Sequence, residues 1–309
     1  MASTSADSSR PPSLWAPRLW PSWLGMGALW LITRLPFGMQ LRLGRLMGRL
    51  GYRLIRSRRQ VAARNIALCL PELDAAARDR LVRAHFESFG MGIVELAMSW
   101  WTPASRLAGR LQVEGLQHLQ RAQQEGRGVM LVSAHFTSID VSGRLFRQVG
   151  DIDVLYRRHE NPVIEHFMSA SRARLFRHAI ERSDVRGMIR ALKAGRAVWY
   201  APDQNYRGKQ SAMVPFFGIP ASTNTGTARI ARLTGALVIP LFMARAADYS
   251  GYRVRLLPPL EDFPSSDPIA DTARINALIE AEIRRVPAQY FWLHRRFKRR
   301  PPGYPDLYA

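Results

Sequence analysis

The chain is almost without cysteine, and a long stretch of it is without negative charge. Its 309 residues include one cysteine, Cys69, so no disulfide can form within the chain and no zinc finger can be built. No acidic residue stands between Asp7 and Glu72. The whole chain has 45 Lys and Arg against 24 Asp and Glu, a formal net charge of +21. Such a charge indicates a polyanionic partner: nucleic acid, anionic lipid, or a phosphorylated or acidic substrate.

Several kinds of site motif are also missing. His159, His166 and His178 lack a credible set of accompanying ligands, so we expect no metal. There is no phosphate-binding glycine loop, which argues against nucleotide dependence, and we expect no cofactor. No cysteine or serine nucleophile motif competes with the histidine described below. No small-residue cleavage site follows the apolar N-terminal segment, so we do not expect a cleaved signal peptide.

The N-terminal apolar segment is short for a membrane span. Its uninterrupted core, Trp23 to Thr33, has about 11 residues, whereas a full span needs about 20. Extension to Leu19–Phe37 approaches that length, with Arg18 and Arg34 near the ends. Four tryptophans suit a membrane interface: Trp15, Trp20, Trp23 and Trp30. We therefore predict a disordered tail over residues 1–14 and a membrane anchor over 15–37, with an ordinary buried helix as the alternative.

Positive charge follows the anchor at once. Residues 38–64 alternate arginine and leucine at roughly helical spacing, which is typical of a basic amphipathic helix on an anionic membrane surface. The arginines are Arg42, Arg45, Arg49, Arg53, Arg56, Arg58, Arg59 and Arg64. Positive charge on this side of the anchor places the following domain in the cytoplasm. A nucleic-acid-binding arm is the alternative, but the tryptophan-rich neighbour argues against it, and we expect no nucleic-acid partner.

Beyond the anchor the pattern predicts one α/β domain over residues 38–309. Residues 75–101 predict a helix or a helical pair, and strands and helices alternate after Pro103. The predicted strands are Val129–Ser133, Ile152–Tyr156, Ala197–Tyr200, Leu237–Phe242 and Tyr252–Leu257. The predicted helices between and after them run from Asp184 to Lys193, from Asn224 or Thr225 to Gly235, and from Asp271 to Arg285. This order indicates a mixed, largely parallel sheet flanked by helices.

Polar side chains follow the predicted strands. His135 follows the first strand, Arg157 and Arg158 the second, Asp203 the third, and Arg245 the fourth. Ligands of open α/β sheets bind beyond the carboxyl ends of the strands. We therefore expect a site where these residues meet.

His135 and Asp140 have the residue types of a general base and its orienting carboxylate. Five positions along one helix would place their side chains about 140° apart. Contact therefore requires His135 in the turn before a helix and Asp140 in the first or second turn of that helix. The alternative is a structural histidine hydrogen-bonded to a helix cap.

The H-x4-D spacing after an apolar strand resembles the signature of the glycerolipid acyltransferase superfamily. Further segments resemble the late acyltransferases of lipid A, the lauroyl and myristoyl transferases, and the likeness runs from about Trp15 to Gly303. These segments are Trp23–Leu31, Arg64–Asn65, Leu68–Glu72, Phe86–Gly92, Tyr156–Arg157, Asn161–Pro162, Gly187–Ile189, Val198–Asp203, Val214–Phe217 and Gln289–Lys298. One departure stands out: lauroyl-type relatives often have Glu where this chain has Asp140.

The resemblance implies acyl transfer at the bacterial inner membrane, by a single-pass or monotopic protein. A fatty acyl chain would move from acyl carrier protein to a hydroxyl of a Kdo-bearing lipid A precursor. His135 would take the hydroxyl proton and Asp140 would orient His135. Arg172 would hold phosphate or polarise the thioester, and Asp203 would orient a basic residue or organise its loop. Arg157 is a further substrate-binding candidate.

Two arginine clusters and several aromatic residues have less definite roles. The clusters would bind substrate phosphates or the acidic carrier, or simply be solvated surface. Their members are Arg157, Arg158, Arg172, Arg174, Arg177 and Arg182, and Arg295, Arg296, Lys298, Arg299 and Arg300. Trp199, Val214–Phe217 and Phe291–Trp292 would line an acyl tunnel or belong to the core. The alternative functions are acyl transfer to another phospholipid or glycolipid, and a non-enzymatic basic protein that binds membranes or nucleic acid.

Overall fold

A computed structural model describes residues 14–148, 150–301 and 303–308. The predicted tail over 1–14 therefore lies almost wholly outside the described residues. The helices are α1 Trp20–Ile32, α2 Phe37–Leu54, α3 Arg56–Cys69, α4 Ala75–Trp101, α5 Ala104–Leu107, α6 Leu116–Gln124, α7 Ile139–Phe146, α8 Pro162–Leu175, α9 Val185–Lys193, α10 Gly226–Thr234 and α11 Pro268–Arg285. The strands are β1 Leu111–Glu114, β2 Val129–Val132, β3 Asp153–Tyr156, β4 Ala179–Glu181, β5 Ala197–Tyr200, β6 Ser211–Phe216, β7 Ile219–Asn224, β8 Leu237–Arg245 and β9 Tyr252–Leu256.

Seven strands form one mixed sheet in the order β1-β9-β8-β2-β5-β3-β4. Every neighbouring pair is parallel except β8 and β9, so the prediction of a mixed, largely parallel sheet flanked by helices is confirmed. Strand β2 lies between β5 and β8 and is buried along its whole length. Parallel strands that are covered on both faces are expected to have continuous apolar sequences, and Val129–Val132 has one.

Four of the strands, β1, β4, β6 and β7, were not predicted from the sequence. Strands β1 and β4 lie at the two edges of the sheet and have only 4 and 3 residues, too short to show a clear alternation. Strands β6 and β7 form a separate antiparallel hairpin that turns at Phe217 and Gly218, both with positive φ. The sequence of this hairpin contains Pro215 and Pro220, which lower its apparent strand propensity.

The helix boundaries follow local capping signals. Asp184 accepts a hydrogen bond from the Gly187 amide at 2.7 Å and begins α9. Gly195 and Gly235 adopt left-handed backbone just after α9 and α10, as predicted for helix ends. The last long helix begins at Pro268, three residues before the predicted Asp271, because Asp267 is its N-cap. Residues 75–101 form a single helix, α4.

The N-terminal segment packs along the domain. Helix α1 has 13 residues, and Trp23 stacks edge-on against Phe167 of α8 at 5.7 Å between ring centroids. Its Leu29 is buried with Val94 and Ala97 of α4. Among the described residues, no helix combines the length and the apolar character that crossing a membrane requires. The predicted amphipathic segment 38–64 forms two helices, α2 and α3, which meet at Ile55.

Glycines bring α2 against α4 at close range. A Cβ placed on Gly48 would overlap the Phe86 carbonyl oxygen, and one placed on Gly90 would overlap the Gly44 carbonyl oxygen. The two helix backbones therefore approach more closely than any larger residue allows at these positions. This contact fixes α2 on the long helix that supports the candidate site.

Candidate active site

His135 lies in the loop between β2 and α7, at the carboxyl edge of the sheet. The C-terminal segment holds this loop through main-chain hydrogen bonds. The Phe291 amide donates to the His135 carbonyl at 2.9 Å, and the Thr137 amide donates to the Gln289 carbonyl at 2.8 Å. Phe136 and Tyr290 form an isolated antiparallel bridge between these bonds. The loop is therefore held like an added strand, which fixes the direction of the His135 side chain.

Asp203 is the carboxylate that holds the His135 ring. Its Oδ1 lies 2.6 Å from His135 Nδ1, and its Oδ2 accepts the His135 main-chain amide at 3.1 Å. Asp203 follows β5, the parallel neighbour of β2, so sheet topology brings the two residues together. The side chain of Asp203 is 1% exposed, whereas that of His135 is 35% exposed.

The two groups shift each other's pKa. Burial alone would lower the pKa of His135, but the charge and hydrogen bond of Asp203 outweigh burial and raise it above the usual 6.5. Burial alone would raise the pKa of Asp203, but His135 lowers it below the usual range. With Asp203 ionised, Nδ1 of His135 carries the proton, and Nε2 is the ring nitrogen left for a substrate.

Asp140 occupies the first turn of α7, as the spacing required, but it is not the residue hydrogen-bonded to Nδ1 of His135. Asp203 takes that position. Asp140 lines the same cavity as His135 and is exposed to solvent there. Desolvation by the protein atoms around it raises its pKa to about 6; His135 and Arg172 lower the pKa, and Glu95 raises it further. Asp140 is thus coupled to His135 through charge.

The cavity beside His135 has a volume of about 280 Å³ and is mostly apolar. It runs between the sheet and helices α7 and α8. Its His, Asp and Arg residues are His135, Asp140, Arg157 and Arg172, all just beyond the carboxyl ends of strands or on the helices that follow. Ser99, Tyr156 and Ser171 add hydroxyl groups to the lining. Its apolar walls include Trp100, Ile139, Ile152, Val154, Met168, Leu175, Phe176, Trp199 and Met243. A pocket of this shape accommodates a long apolar group with its polar end beside His135.

Arg172 and Arg157 both line the cavity but differ in environment. The Arg172 side chain is 11% exposed, lies 2.5 Å from Glu165 Oε1, and stacks over the Tyr156 ring at 4.2 Å. Arg157 is 60% exposed and pairs with Glu160 at 3.0 Å. Arg172 is therefore a fixed positive charge within the cavity, whereas Arg157 stands at its solvent side.

Some polar residues singled out in the sequence lie elsewhere. Arg245 ends β8 but forms a buried ion pair with Glu95 of α4 at 2.6 Å, and does not line the cavity. Arg296 is buried, where it donates to the Ser222 carbonyl and the Thr223 hydroxyl, so it is not a surface phosphate or carrier contact. Of the possible tunnel aromatics, Trp199 lines the cavity. Phe216 and Trp292 are buried in the core on the other face of the sheet.

Two C-terminal residues of the site had no role in the sequence analysis. Tyr290 is buried and hydrogen-bonds the Asp203 carboxylate. His294 accepts the Asn205 amide through Nε2 at 3.1 Å, and burial lowers its pKa to about 4, so it stays neutral. Both belong to the segment Gln289–Lys298, whose aromatic pattern was the available signal. In the described part of the chain, no cluster of His, Cys, Asp and Glu could hold a metal ion.

The family model for bacterial lipid A biosynthesis acyltransferases matches residues 8–299. The chain belongs to this family. It is 41% identical over 293 residues to the lipid A biosynthesis palmitoleoyltransferase of Escherichia coli, covering 94% of this chain and 95% of that protein. It is 40% identical over 293 residues to the E. coli lipid A biosynthesis lauroyltransferase, covering 94% and 96% of the two chains. A lipid A biosynthesis acyltransferase of Haemophilus influenzae is 34% identical over 302 residues, covering 96% of each chain.

This lipid A biosynthesis acyltransferase is therefore an enzyme, and its cavity with His135 and Asp203 is the candidate active site. The non-enzymatic alternative is excluded by this membership. The sequence analysis expected Asp203 to orient a basic residue or organise its loop, and the basic residue that it contacts is His135.

Proposed function

We propose that this acyltransferase moves a fatty acyl chain from the thioester of acyl carrier protein to a hydroxyl of a Kdo-bearing lipid A precursor. The observation that carries the proposal is the His135–Asp203 pair at the polar end of an apolar cavity. A transfer of this kind needs a base for the acceptor hydroxyl and an apolar space for the acyl chain. The activities named for the relatives, palmitoleoyl and lauroyl transfer in lipid A biosynthesis, support a donor of the same class.

His135 is the general base in this proposal. Asp203 keeps the proton on Nδ1, so Nε2 accepts the proton of the acceptor hydroxyl as its oxygen attacks the thioester carbonyl carbon. The new ester C–O bond forms and the C–S bond breaks. The carrier leaves as a thiolate, which takes the proton from the imidazolium. The acyl group is transferred without change of oxidation state, so this route uses no cofactor.

Asp140 and Arg172 supply charge to the step. The imidazolium formed on His135 gains stabilisation from the Asp140 carboxylate, because the two opposite charges face the same cavity and interact through it. Arg172 faces the same cavity and stabilises the negative oxygen that develops on the thioester carbonyl. Arg157, at the solvent side, contacts the phosphate groups of the acceptor or the acidic carrier.

The surface of α1 and α2 supports a position at the cytoplasmic face of the inner membrane. Large apolar side chains are exposed along these helices, among them Trp20, Leu24, Leu31, Leu46 and Leu50. Arginines flank them throughout 38–64, and these favour anionic lipid headgroups. Because α1 lies along α4 and α8, we propose a monotopic arrangement in which the helices rest in the interface.

Mass-spectrometric detection of acyl transfer from acyl carrier protein to purified Kdo-lipid A precursor tests the proposal. We expect His135→Ala to lower turnover by about 10²- to 10⁴-fold, the contribution typical of a general base. His118→Ala is the control, since His118 lies on α6 away from the cavity. Near-normal turnover in the His135 variant would contradict the assignment of His135 as the base. Transfer by the wild type to glycerophospholipids, and not to the lipid A precursor, would contradict the proposed acceptor.

A further inference from the structure

A second cavity lies where the N-terminal helices meet the end of α4. It has a volume of about 300 Å³ and shares no lining residue with the cavity beside His135. Three arginines line it: Arg34 after α1, Arg106 in α5, and Arg110 just before β1. The first turn of α2 forms another wall. We refer to this cavity as the arginine cleft.

The charges of the arginine cleft are not neutralised within the described part of the chain. Arg34 stacks over the Trp30 ring at 4.3 Å, and Arg106 donates to the Arg34 carbonyl at 3.1 Å. Arg110 stacks over the Phe37 ring at 3.9 Å and donates to the Ser250 carbonyl at 2.7 Å. These partners are uncharged. By contrast, Arg255 and Arg285 both form ion pairs with the carboxylate of Glu282.

Two further features of the cleft favour an anion with hydroxyl groups. Helix α2 starts there without a side-chain cap and without an acidic residue in its first turn, so its positive end is uncompensated. Gln40 and Thr102 line the cleft and are each 2% exposed. Among the described residues, Gln40 Oε1 and Thr102 Oγ1 have no hydrogen-bond partner. A buried polar atom without a partner is costly, and it marks a place for a ligand or solvent group.

The position of the cleft suits a headgroup at a membrane surface. Trp30 and Leu31 are exposed just before Arg34, and Met39 is exposed just after Phe37. Apolar side chains that enter the interface on both sides of the cleft would place its guanidinium groups at the depth of lipid phosphates. Arginine binds phosphate oxygens in bidentate fashion, which is the chemistry this arrangement offers.

From these contacts we propose that the arginine cleft is a binding site for the phosphate group of a lipid, separate from the catalytic cavity. The phosphate belongs either to a bilayer phospholipid or to the phosphorylated acceptor, and the two sources are separable by experiment. The site fixes the position of the enzyme, or of the sugar end of its acceptor, relative to the membrane surface. Binding to the bilayer does not depend on the proposed acyl transfer.

The test uses the full chain with Arg34→Gln and Arg106→Gln combined. The control combines Arg53→Gln with Arg56→Gln, which removes two exposed charges from the same N-terminal surface but outside the cleft. Arg110 is kept because it also supports the loop at Ser250. Circular dichroism and melting temperature confirm that both variants fold.

Two measurements distinguish the sources. The first is partitioning onto phosphatidylcholine vesicles with and without phosphatidylglycerol; the second is the acceptor KM in neutral detergent micelles without phospholipid. We expect the cleft variant to lose at least about tenfold more affinity than the control in one of the two measurements, as the loss of a single charge-assisted hydrogen bond would give. Weaker partitioning onto the vesicles identifies the ligand as a bilayer phosphate. A higher KM for the acceptor identifies it as an acceptor phosphate. Equal effects of the two variants in both measurements would overturn the proposal.

Discussion

At the scale of the residue, the two nitrogens of His135 lie in different environments. Nδ1 is held by a buried carboxylate, and the rest of the ring opens onto a cavity. The raised pKa makes His135 a stronger base, but it also keeps the ring protonated to a higher pH. Activity should therefore rise with pH through a pKa above 6.5, and fall below it as the base becomes protonated.

Asp203→Asn should lower kcat by about 10³-fold or more and move the acid limb of the kcat/KM profile to lower pH. The large loss is expected because an amide at this position can leave the proton on the wrong nitrogen. The limb moves because burial, which lowers the pKa of His135, is no longer outweighed. Asp79→Asn, on the surface of α4, is the control. If Asp140→Asn moves the limb and Asp203→Asn does not, Asp140 is the orienting residue.

Gly143 is a position where a side chain can be added to the cavity beside His135. It lines the cavity one turn after Asp140 on α7, and a Cβ added there would meet no atom within 4 Å. We expect Gly143→Leu to lower kcat/KM for long donors by about tenfold relative to shorter ones, because the side chain takes up space for the chain end. Gly25→Leu, an equally open glycine on α1, is the control. An unchanged donor ratio would show that the acyl chain lies elsewhere.

At the scale of the element, the glycine contact between α2 and α4 has a measurable cost if broken. Gly48→Ala should lower the free energy of unfolding by about 1–3 kcal/mol, since a methyl group there overlaps the α4 backbone. A methyl group added at Gly51 on the same helix would meet only side-chain atoms, at 3.7 Å or more. Gly51→Ala should therefore leave the free energy of unfolding unchanged or raise it. Chemical unfolding of both variants measures the difference. Equal stabilities would mean that α2 does not hold this position in solution.

The elements also show where sequence patterns stop being informative. Strong apolar runs and capping residues located β2, β3, β5, β8, β9 and the ends of α9 and α10. The edge strands β1 and β4 were missed because they have only 4 and 3 residues, too few to give a clear strand pattern. The segment Val214–Phe217 is apolar enough for a tunnel wall, yet it pairs in a hairpin whose Phe216 is completely buried.

At the scale of the whole molecule, charge and apolar surface coincide on the N-terminal helices. We expect the double variant Trp20→Ser, Leu24→Ser to bind anionic vesicles at least about tenfold more weakly, because two large side chains no longer enter the interface. Leu233→Ser, an exposed leucine on α10, is the control. For the wild type and for both variants, vesicle binding should weaken as the salt concentration rises. Sedimentation with vesicles measures both effects, and equal binding by the double variant and the control would place the membrane contact elsewhere.

The sequence by itself determined the class of sheet and the main strands, and it singled out His135 as the candidate base. These rest on local patterns: apolar runs, capping residues, and a histidine that directly follows a buried strand. The family followed from the resemblance of segments along most of the chain. The tertiary structure decided which carboxylate holds His135. Asp140 is near in sequence, but Asp203 follows the adjacent parallel strand, and strand pairing brings it 2.6 Å from the ring. It also decided that Arg245 and Arg296 are buried partners within the fold, and that Arg34, Arg106 and Arg110 share one cleft. Such contacts between distant segments depend on packing, which residue spacing does not encode.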